Sequence, residues 1–268
     1  MPKIELRESP HAPGVRPVTI HYREFGQGQP LIFLHGGWGY GVYPFDSQID
    51  AFQEDHRILI PDRSGYGKSS RVEGDMALDF HRKAAKETLA FLDALGIPRA
   101  IFWGHSDGAV IAAMMGMIAP QRCASIILEA VHFFRKKPAS RGFFERFAAK
   151  PEDLGDETKR LLAEDHGADR WPAVLRRNCG AWFRIADAVK TPDEDLYDGQ
   201  LCELKVPTLF LHGRLDPRTE PGEMERIAKA LPDAEMKFVE NGKHSPHSEE
   251  AARQECNEIV RTFLEAPR

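Results

Sequence analysis

The sequence predicts an α/β protein, a mostly parallel doubly wound sheet with a helical insert. Three observations lead there. Short apolar runs recur that have no polar face, as in strands covered on both sides by helices. Segments of helical periodicity lie between them, the alternation that builds parallel sheets. One stretch, 133–204, breaks that rhythm.

At the N-terminus, 3–7 and 18–25 read as antiparallel edge strands around a turn containing Pro and Gly. LIFLH (31–35), RILIP (57–61) and AIFWG (100–104) read as buried strands, as do SIILEA (125–130), TLFLH (208–212) and MKFV (236–239). Over 77–95 the apolar residues Phe80, Ala84, Leu89, Leu92 and Leu95 fall on one helical face, and Gly96 with Pro98 supplies the stop. Segments 108–118, 221–231 and 249–264 also carry helical patterns. Segment 133–204 holds no buried-strand run and is rich in charge and in large aromatics such as Phe143, Phe144, Trp171 and Trp182. At about 70 residues it is too long for one crossover connection. It is expected as a helical lid over the carboxyl ends of the strands, where open α/β sheets bind ligands. Segments 1–132 and 205–268 then form the core domain.

Composition narrows the function classes. The 268 residues, 42% hydrophobic and 29% charged, suit a folded α/β domain and exclude a disordered chain. Lys and Arg total 36 against 41 Asp and Glu, a net charge of −5. Such a balance offers no electrostatic footprint for phosphate backbones, so no nucleic-acid partner is expected. No run of about 18 apolar residues occurs, so no membrane span is expected. The charged start MPKIELRESP lacks the apolar core of a signal peptide. The cysteines Cys123, Cys179, Cys202 and Cys256 are scattered, form no CxxC, and read as free thiols of a cytoplasmic protein.

The chemistry begins at Gly104-His105-Ser106-Asp107-Gly108, which follows an apolar strand and opens a helix. That is the strand–turn–helix setting of a G-x-S-x-G nucleophile. The turn lifts the Ser106 hydroxyl clear of the sheet, and the helix brings its unpaired N–H groups close to any developing anion. Leu34-His35-Gly36-Gly37-Trp38-Gly39 follows an earlier strand. Acyl transfer needs two donors aimed at the oxyanion, here expected from the backbone N–H groups of Gly37 and Asp107. A serine also needs a base and a group that orients it. In the chain order Ser, acid, His, Asp216 follows the strand 208–212 and His244 follows the strand 236–239. The spacings, 216 − 106 = 110 and 244 − 216 = 28, leave room for the insert with a strand and helix, then for one helix and one strand. His247 competes with His244 but reads as a neighbour packing at the start of the final helix. Nothing at ligand spacing completes a metal site with these histidines, and neither metal nor organic cofactor is expected.

With HGGWG, DRSGYGKSS, GHSDGA, LHGRLDP and GKHSPH in this order, the chain resembles the α/β-hydrolase superfamily over nearly its whole length outside the insert. It is closer still to the biphenyl-hydrolase-like group, of valacyclovir-hydrolase type, through DFHRKAAKETLAFLDALGI, the Ser-Asp-Gly elbow, VPTLFLHGRLDP and NGKHSPH. The resemblance implies an α/β-hydrolase fold with Ser106 as nucleophile, Asp216 as acid and His244 as base. It also implies that Asp107 receives a substrate amino group. The chain departs from the group at His105, where the group has Trp, and in the insert. Fold and triad survive those departures, whereas the substrate does not carry over. Proline iminopeptidases share the His-Gly-Gly stretch but not the subdomain pattern.

Other residues have two readings each. Some members of the superfamily place the acid where Glu129 stands, so it is the alternative to Asp216; otherwise it bonds loop amides. Asp62 and Arg63 read as loop ties. His132, Phe133 and Phe134 either line the substrate pocket or pack the root of the lid, and Trp38 and Tyr40 either wall the acyl site or bury area. Asp107 either recognises an amine or caps the helix after it. The expected activity is cleavage of a small-molecule ester, amide or lactone through an acyl-enzyme. A carbon–carbon bond hydrolase, a perhydrolase, and a non-enzymatic receptor on the same fold stay open.

Overall fold

The computed structural model describes residues 1–266. Its strands are β1 (Lys3–Leu6), β2 (Val18–Phe25), β3 (Gln29–Leu34), β4 (His56–Pro61), β5 (Ala100–His105), β6 (Cys123–Glu129), β7 (Thr208–Gly213) and β8 (Glu235–Val239). Its helices are α1 (Asp46–Phe52), α2 (Phe80–Ala94), α3 (Asp107–Ile118), α4 (Pro138–Ala149), α5 (Asp156–His166), α6 (Trp171–Asp187), α7 (Glu223–Ala230) and α8 (Arg253–Glu265). The strands form one sheet in the order β1-β2-β4-β3-β5-β6-β7-β8. β2 pairs antiparallel with β1 and with β4, and the remaining pairs are parallel. Only β1 of the two N-terminal strands is an edge; β2 lies inside the sheet because its second side pairs with β4.

Strand periodicity divides the apolar residues between two layers. Ile32, Leu34, Phe102, Ile126, Leu128 and Phe210 face α2 and α3. Leu31, Phe33, Trp103, Ile127, Leu209 and Leu211 face α1 and α8 through Phe45, Phe52, Cys256 and Val260. On α2 the buried face carries Phe80, Ala84, Phe91 and Leu92, with the polar His81, Glu87 and Thr88 among them. Leu89 and Leu95 are only partly buried. The buried polar groups have partners: Glu87 accepts Ser64 N–H at 2.9 Å and the hydroxyls of Ser9 and Ser64 at 2.5 and 2.6 Å.

Between β6 and β7 the chain forms α4, α5 and α6 and no strand. α6 packs on α4 and α5, and Phe144, Leu162, Leu175 and Trp182 join the core layer on the α2–α3 side. The final helix begins at Arg253, later than its sequence pattern suggests. The residues before it serve the loop after β8: Glu249 accepts the backbone N–H groups of Lys243 at 2.7 Å and Ser245 at 2.9 Å. Among the described residues, no helix is long and apolar enough to cross a membrane.

Candidate active site

Ser106 sits at the end of β5 with φ 54° and ψ −117°, conformational strain held in place by its surroundings. The flanking glycines are there for close approach. A Cβ on Gly104 would lie 2.1 Å from Gly108 O, and one on Gly108 would lie 1.9 Å from Leu34 O. The turn can therefore close only with hydrogen at both positions. It delivers Ser106 to the first turn of α3, whose leading N–H groups have no intrahelical acceptor. The loop after β3 brings Gly37 and Trp38 to the same cleft.

The loops after β7 and β8 meet beside it. Gly213 again makes the approach possible, since a Cβ there would fall 1.9 Å from Lys243 O. Arg214 N–H donates to Val239 O at 3.0 Å and Leu215 N–H to Gly242 O at 2.9 Å. Across this junction His244 Nδ1–H donates to Asp216 Oδ2 at 2.8 Å. The other nitrogen, Nε2, is thereby left as acceptor and lies 3.1 Å from the Ser106 hydroxyl, which donates to it. Both chain neighbours of His244 are pinned by Glu249, and His105 Nε2 bonds His244 O at 3.0 Å. Burial, and then the charge of Arg218, holds the His244 imidazolium down to about 4. Burial alone would raise Asp216, but its hydrogen bond to His244 and the nearby imidazoles outweigh that and keep the carboxyl at about 2.

A second imidazole flanks the serine. His132, just beyond β6, has Nε2 at 3.4 Å from Ser106 Oγ, and its ring stacks on that of His244 at 5.6 Å. Behind it the buried Lys137 ammonium donates to His132 Nδ1 at 2.9 Å and to both Glu223 oxygens at 2.9 Å. An ammonium has donors only, so Nδ1 is the acceptor and Nε2 carries the hydrogen of the neutral ring. Burial, reinforced by Lys137, holds this histidine well below the usual imidazole range. Glu223 also accepts Phe133 N–H at 2.7 Å and Glu220 N–H at 3.0 Å, so the pair is anchored to two loops.

Asp107 lines the cleft, but its carboxylate is occupied. His81 Nε2–H donates to Oδ1 at 3.1 Å, Trp182 Nε1–H to Oδ1 at 3.2 Å, and Asn178 Nδ2–H to Oδ2 at 2.7 Å. Burial would raise this acid, and the His81 hydrogen bond and charge outweigh it to lower it. It makes no side-chain cap on α3. Three of the carboxylate's roughly four acceptor sites are thus taken by the protein. Asn178 and Trp182 are four residues apart on one face of α6. A buried Asn beside a buried Trp on an amphipathic helix is the signal that could have singled them out.

Glu129, the alternative acid, and Phe133, Phe134 and Tyr40, three of the expected pocket residues, lie outside the cleft lining. Glu129 is fully buried, away from the cleft lining. It accepts Trp103 Nε1–H at 2.8 Å, and His247 N–H and Nδ1–H at 3.1 and 2.7 Å. It is thus the partner of His247, not of His244, because β6 ends one loop away from the histidine that reaches Ser106. Phe133 turns toward Phe134 and Tyr197, with ring centroids at 5.3 and 6.2 Å, because its backbone is tied to Glu223. Tyr40 donates to Asp46 at 2.7 Å and stays out of the cleft. Arg63 donates to His35 O and, at 2.8 Å, to Gly36 O, while Asp62 accepts from Arg23 at 2.8 Å, the loop ties expected of them. The cleft is narrow and is walled by Trp38, Tyr43, Phe144 and Trp182, with His105, Asn178 and Arg218 completing the lining beside the residues already named. Among the described residues, no cluster of three or more metal-binding side chains occurs.

The sequence also matches a known family. Residues 29–251 match the family described as the alpha/beta hydrolase fold. Mouse serine hydrolase BPHL is 23% identical over 254 residues, covering 94% of this chain and 84% of that protein. A putative carbamate hydrolase, RutD, of Pseudomonas savastanoi is 26% identical over 242 residues, 81% of this chain and 87% of that one. The crystal structure of a hydrolase from Pseudomonas aeruginosa superposes with a TM-score of 0.71 at 24% identity, covering 98% of each chain. The chain belongs to the α/β-hydrolase fold family. It is an enzyme, a hydrolase of that fold, and biphenyl-hydrolase-like proteins are among its relatives.

Proposed function

We propose that the chain is a serine hydrolase that cleaves a small-molecule ester through an acyl-enzyme. The observation that carries this reading is the unbroken hydrogen-bond path from Asp216 through His244 to a serine on a strained elbow. In the first step His244 Nε2 accepts the Ser106 proton as Oγ attacks the ester carbonyl. Asp216 fixes the tautomer and stabilises the imidazolium that forms. The backbone N–H groups of Gly37 and Asp107 receive the oxyanion. His244 then gives its proton to the departing alcohol. In the second step His244 activates water, which attacks the acyl group and releases the acid and Ser106.

The neutral His132 plays a different part. Its Nε2–H donates toward Ser106 Oγ and so helps to hold the hydroxyl that turns to His244. Helices α4 to α6 act as the lid, supplying Phe144, Asn178 and Trp182 to the pocket. The relatives' names, a serine hydrolase and a putative carbamate hydrolase, agree with acyl-transfer chemistry on this scaffold. Three protein donors fill most of the Asp107 carboxylate's acceptor sites, which weakens the case for a preference for amino-bearing acyl groups. The four cysteines form no disulfide, and the reading takes the enzyme as cytoplasmic.

The test is a fluorophosphonate probe followed by peptide mapping. Stoichiometric modification of Ser106, lost in Ser106→Ala together with p-nitrophenyl ester hydrolysis, is expected. Modification of another serine would overturn the mechanism.

A further inference from the structure

The Asp107 carboxylate in the pocket has three protein donors, whereas a cation in the same pocket has no protein acceptor among the described residues. Arg218 stands two residues beyond Asp216, and its backbone N–H donates to Asp216 Oδ1 at 2.8 Å, so its place relative to the candidate triad is fixed. Its guanidinium lies over the Phe143 ring at 4.0 Å from the centroid and faces Trp38 at 5.9 Å. Stacking of that kind occupies the faces of the planar cation and leaves its edge donors free. Among the described residues, no carboxylate pairs with it and no acceptor takes its side-chain hydrogens. It lines the same cleft as Ser106 and His244.

We propose that Arg218 binds a carboxylate on the substrate, so that the enzyme acts on small esters that carry a second, ionised acid group. This rests on the serine-hydrolase reading and adds the substrate class to it. A guanidinium edge matches a carboxylate with two parallel hydrogen bonds. Trp38, Phe144 and Trp182 wall the same cleft, and apolar walls lower the local dielectric and strengthen that attraction. The lining offers no competing free anion, since Asp107 is held by His81, Asn178 and Trp182. A cationic substrate would meet Arg218 as a like charge.

The proposal has a consequence for the base. His244 is faced by Asp216 and Arg218 from the loop after β7, by His132 and Lys137 from the segment after β6, and by His105 from β5. A bound carboxylate offsets Arg218 and makes His244 a stronger base in the complex. The acid limb of kcat therefore lies at higher pH for a carboxylate ester than for a neutral one.

The experiment compares kcat/KM for mono-p-nitrophenyl glutarate with that for p-nitrophenyl valerate. It then compares p-acetoxybenzoate with phenyl acetate, which moves the charge to the leaving group. At least one charged ester should be preferred tenfold or more, and Arg218→Gln should abolish that preference. Arg218→Lys, which keeps the charge without the planar fork, should retain part of it, and circular dichroism checks that both variants fold. A preference near one for both pairs in the wild type, or one unchanged in Arg218→Gln, overturns the carboxylate site while Ser106 labelling still stands. Absence of both labelling and ester turnover overturns the serine-hydrolase reading and this proposal with it.

Discussion

Two imidazoles flank Ser106, and they differ in what stands behind them. His244 has a carboxylate at its back, so the nitrogen facing the serine is an acceptor. His132 has an ammonium at its back, so the nitrogen facing the serine is a donor. Distance separates them only slightly, at 3.1 and 3.4 Å. On the proposed mechanism the group behind each ring assigns its role: a base must present a lone pair to the serine, as His244 does and His132 does not. The lesson is that a histidine near a nucleophile is read from its second nitrogen.

The largest effect should follow from removing the base. His244→Ala should lower kcat by roughly 10⁶-fold, because the groups of such a unit act together. His132→Phe should cost only about fivefold to tenfold, the worth of one neutral hydrogen bond of about 1 kcal/mol. His132→Gln, whose amide can donate as Nε2–H does, should recover most of that loss. Steady-state kinetics on one ester decide it: a His132→Gln enzyme as impaired as His244→Ala would reverse the two assignments.

The acids offer the same contrast. In Asp216→Asn the oxygen that accepts Arg218 N–H leaves an NH₂ facing His244 Nδ1, which favours the wrong tautomer, and activity should drop by roughly 10⁴-fold. Glu129→Gln should instead act on stability. It weakens a carboxylate that takes three donors from Trp103 and His247, at a cost of about 1–3 kcal/mol. Urea unfolding beside ester kinetics separates the outcomes, and a larger kinetic loss in Glu129→Gln would move the acid to β6. Burial alone would raise Glu129, but His247 overcomes that and holds it at about 2. The sign of its pH dependence follows. A carboxyl depressed from its usual range contributes stability above about pH 4.5 that is lost progressively as pH falls toward 2.

The half of the cleft built by strand ends was legible in the chain, and the half built by the insert was not. Ser106, His244 and Asp216 each follow an apolar run that names its own strand, and glycines mark where backbones must touch. Side chains of α6 carry no such punctuation. Asn178 and Trp182 become polar partners of Asp107 only once the fold brings α6 to the start of α3, across 71 and 75 residues of sequence. Lys137 reads as one of several surface charges in its stretch until Glu223, 86 residues on, buries it. Phe133 and Glu129 failed as pocket residues for a related reason. Glu129 ends β6 and Phe133 lies in the loop after it, and the direction of each side chain is set by its long-range partners. α1 went unrecognised because its seven residues give helical periodicity too short a run to register.

The smallest expected effect tests the electrostatics that separate the two histidines. Burial and then Arg218 hold His244 near 4, so in the free enzyme the base is deprotonated over most of the acidic range. For a neutral ester, kcat/KM should stay level as pH falls through 6.5, the ordinary imidazole value, and fall only as it approaches about 4. Arg218→Gln removes a positive charge that disfavours the imidazolium, while burial is left in place. Protonation then becomes easier, and the acid limb must move upward by a fraction of a pH unit. Truncating Lys137 should move it the same way and less, since Lys137 stands behind His132 and not beside His244. A downward shift in Arg218→Gln is incompatible with this ordering. An acid limb near 6.5 in the wild type would mean that water reaches His244 freely, and the contrast between a dry base and a dry donor would then have to be abandoned.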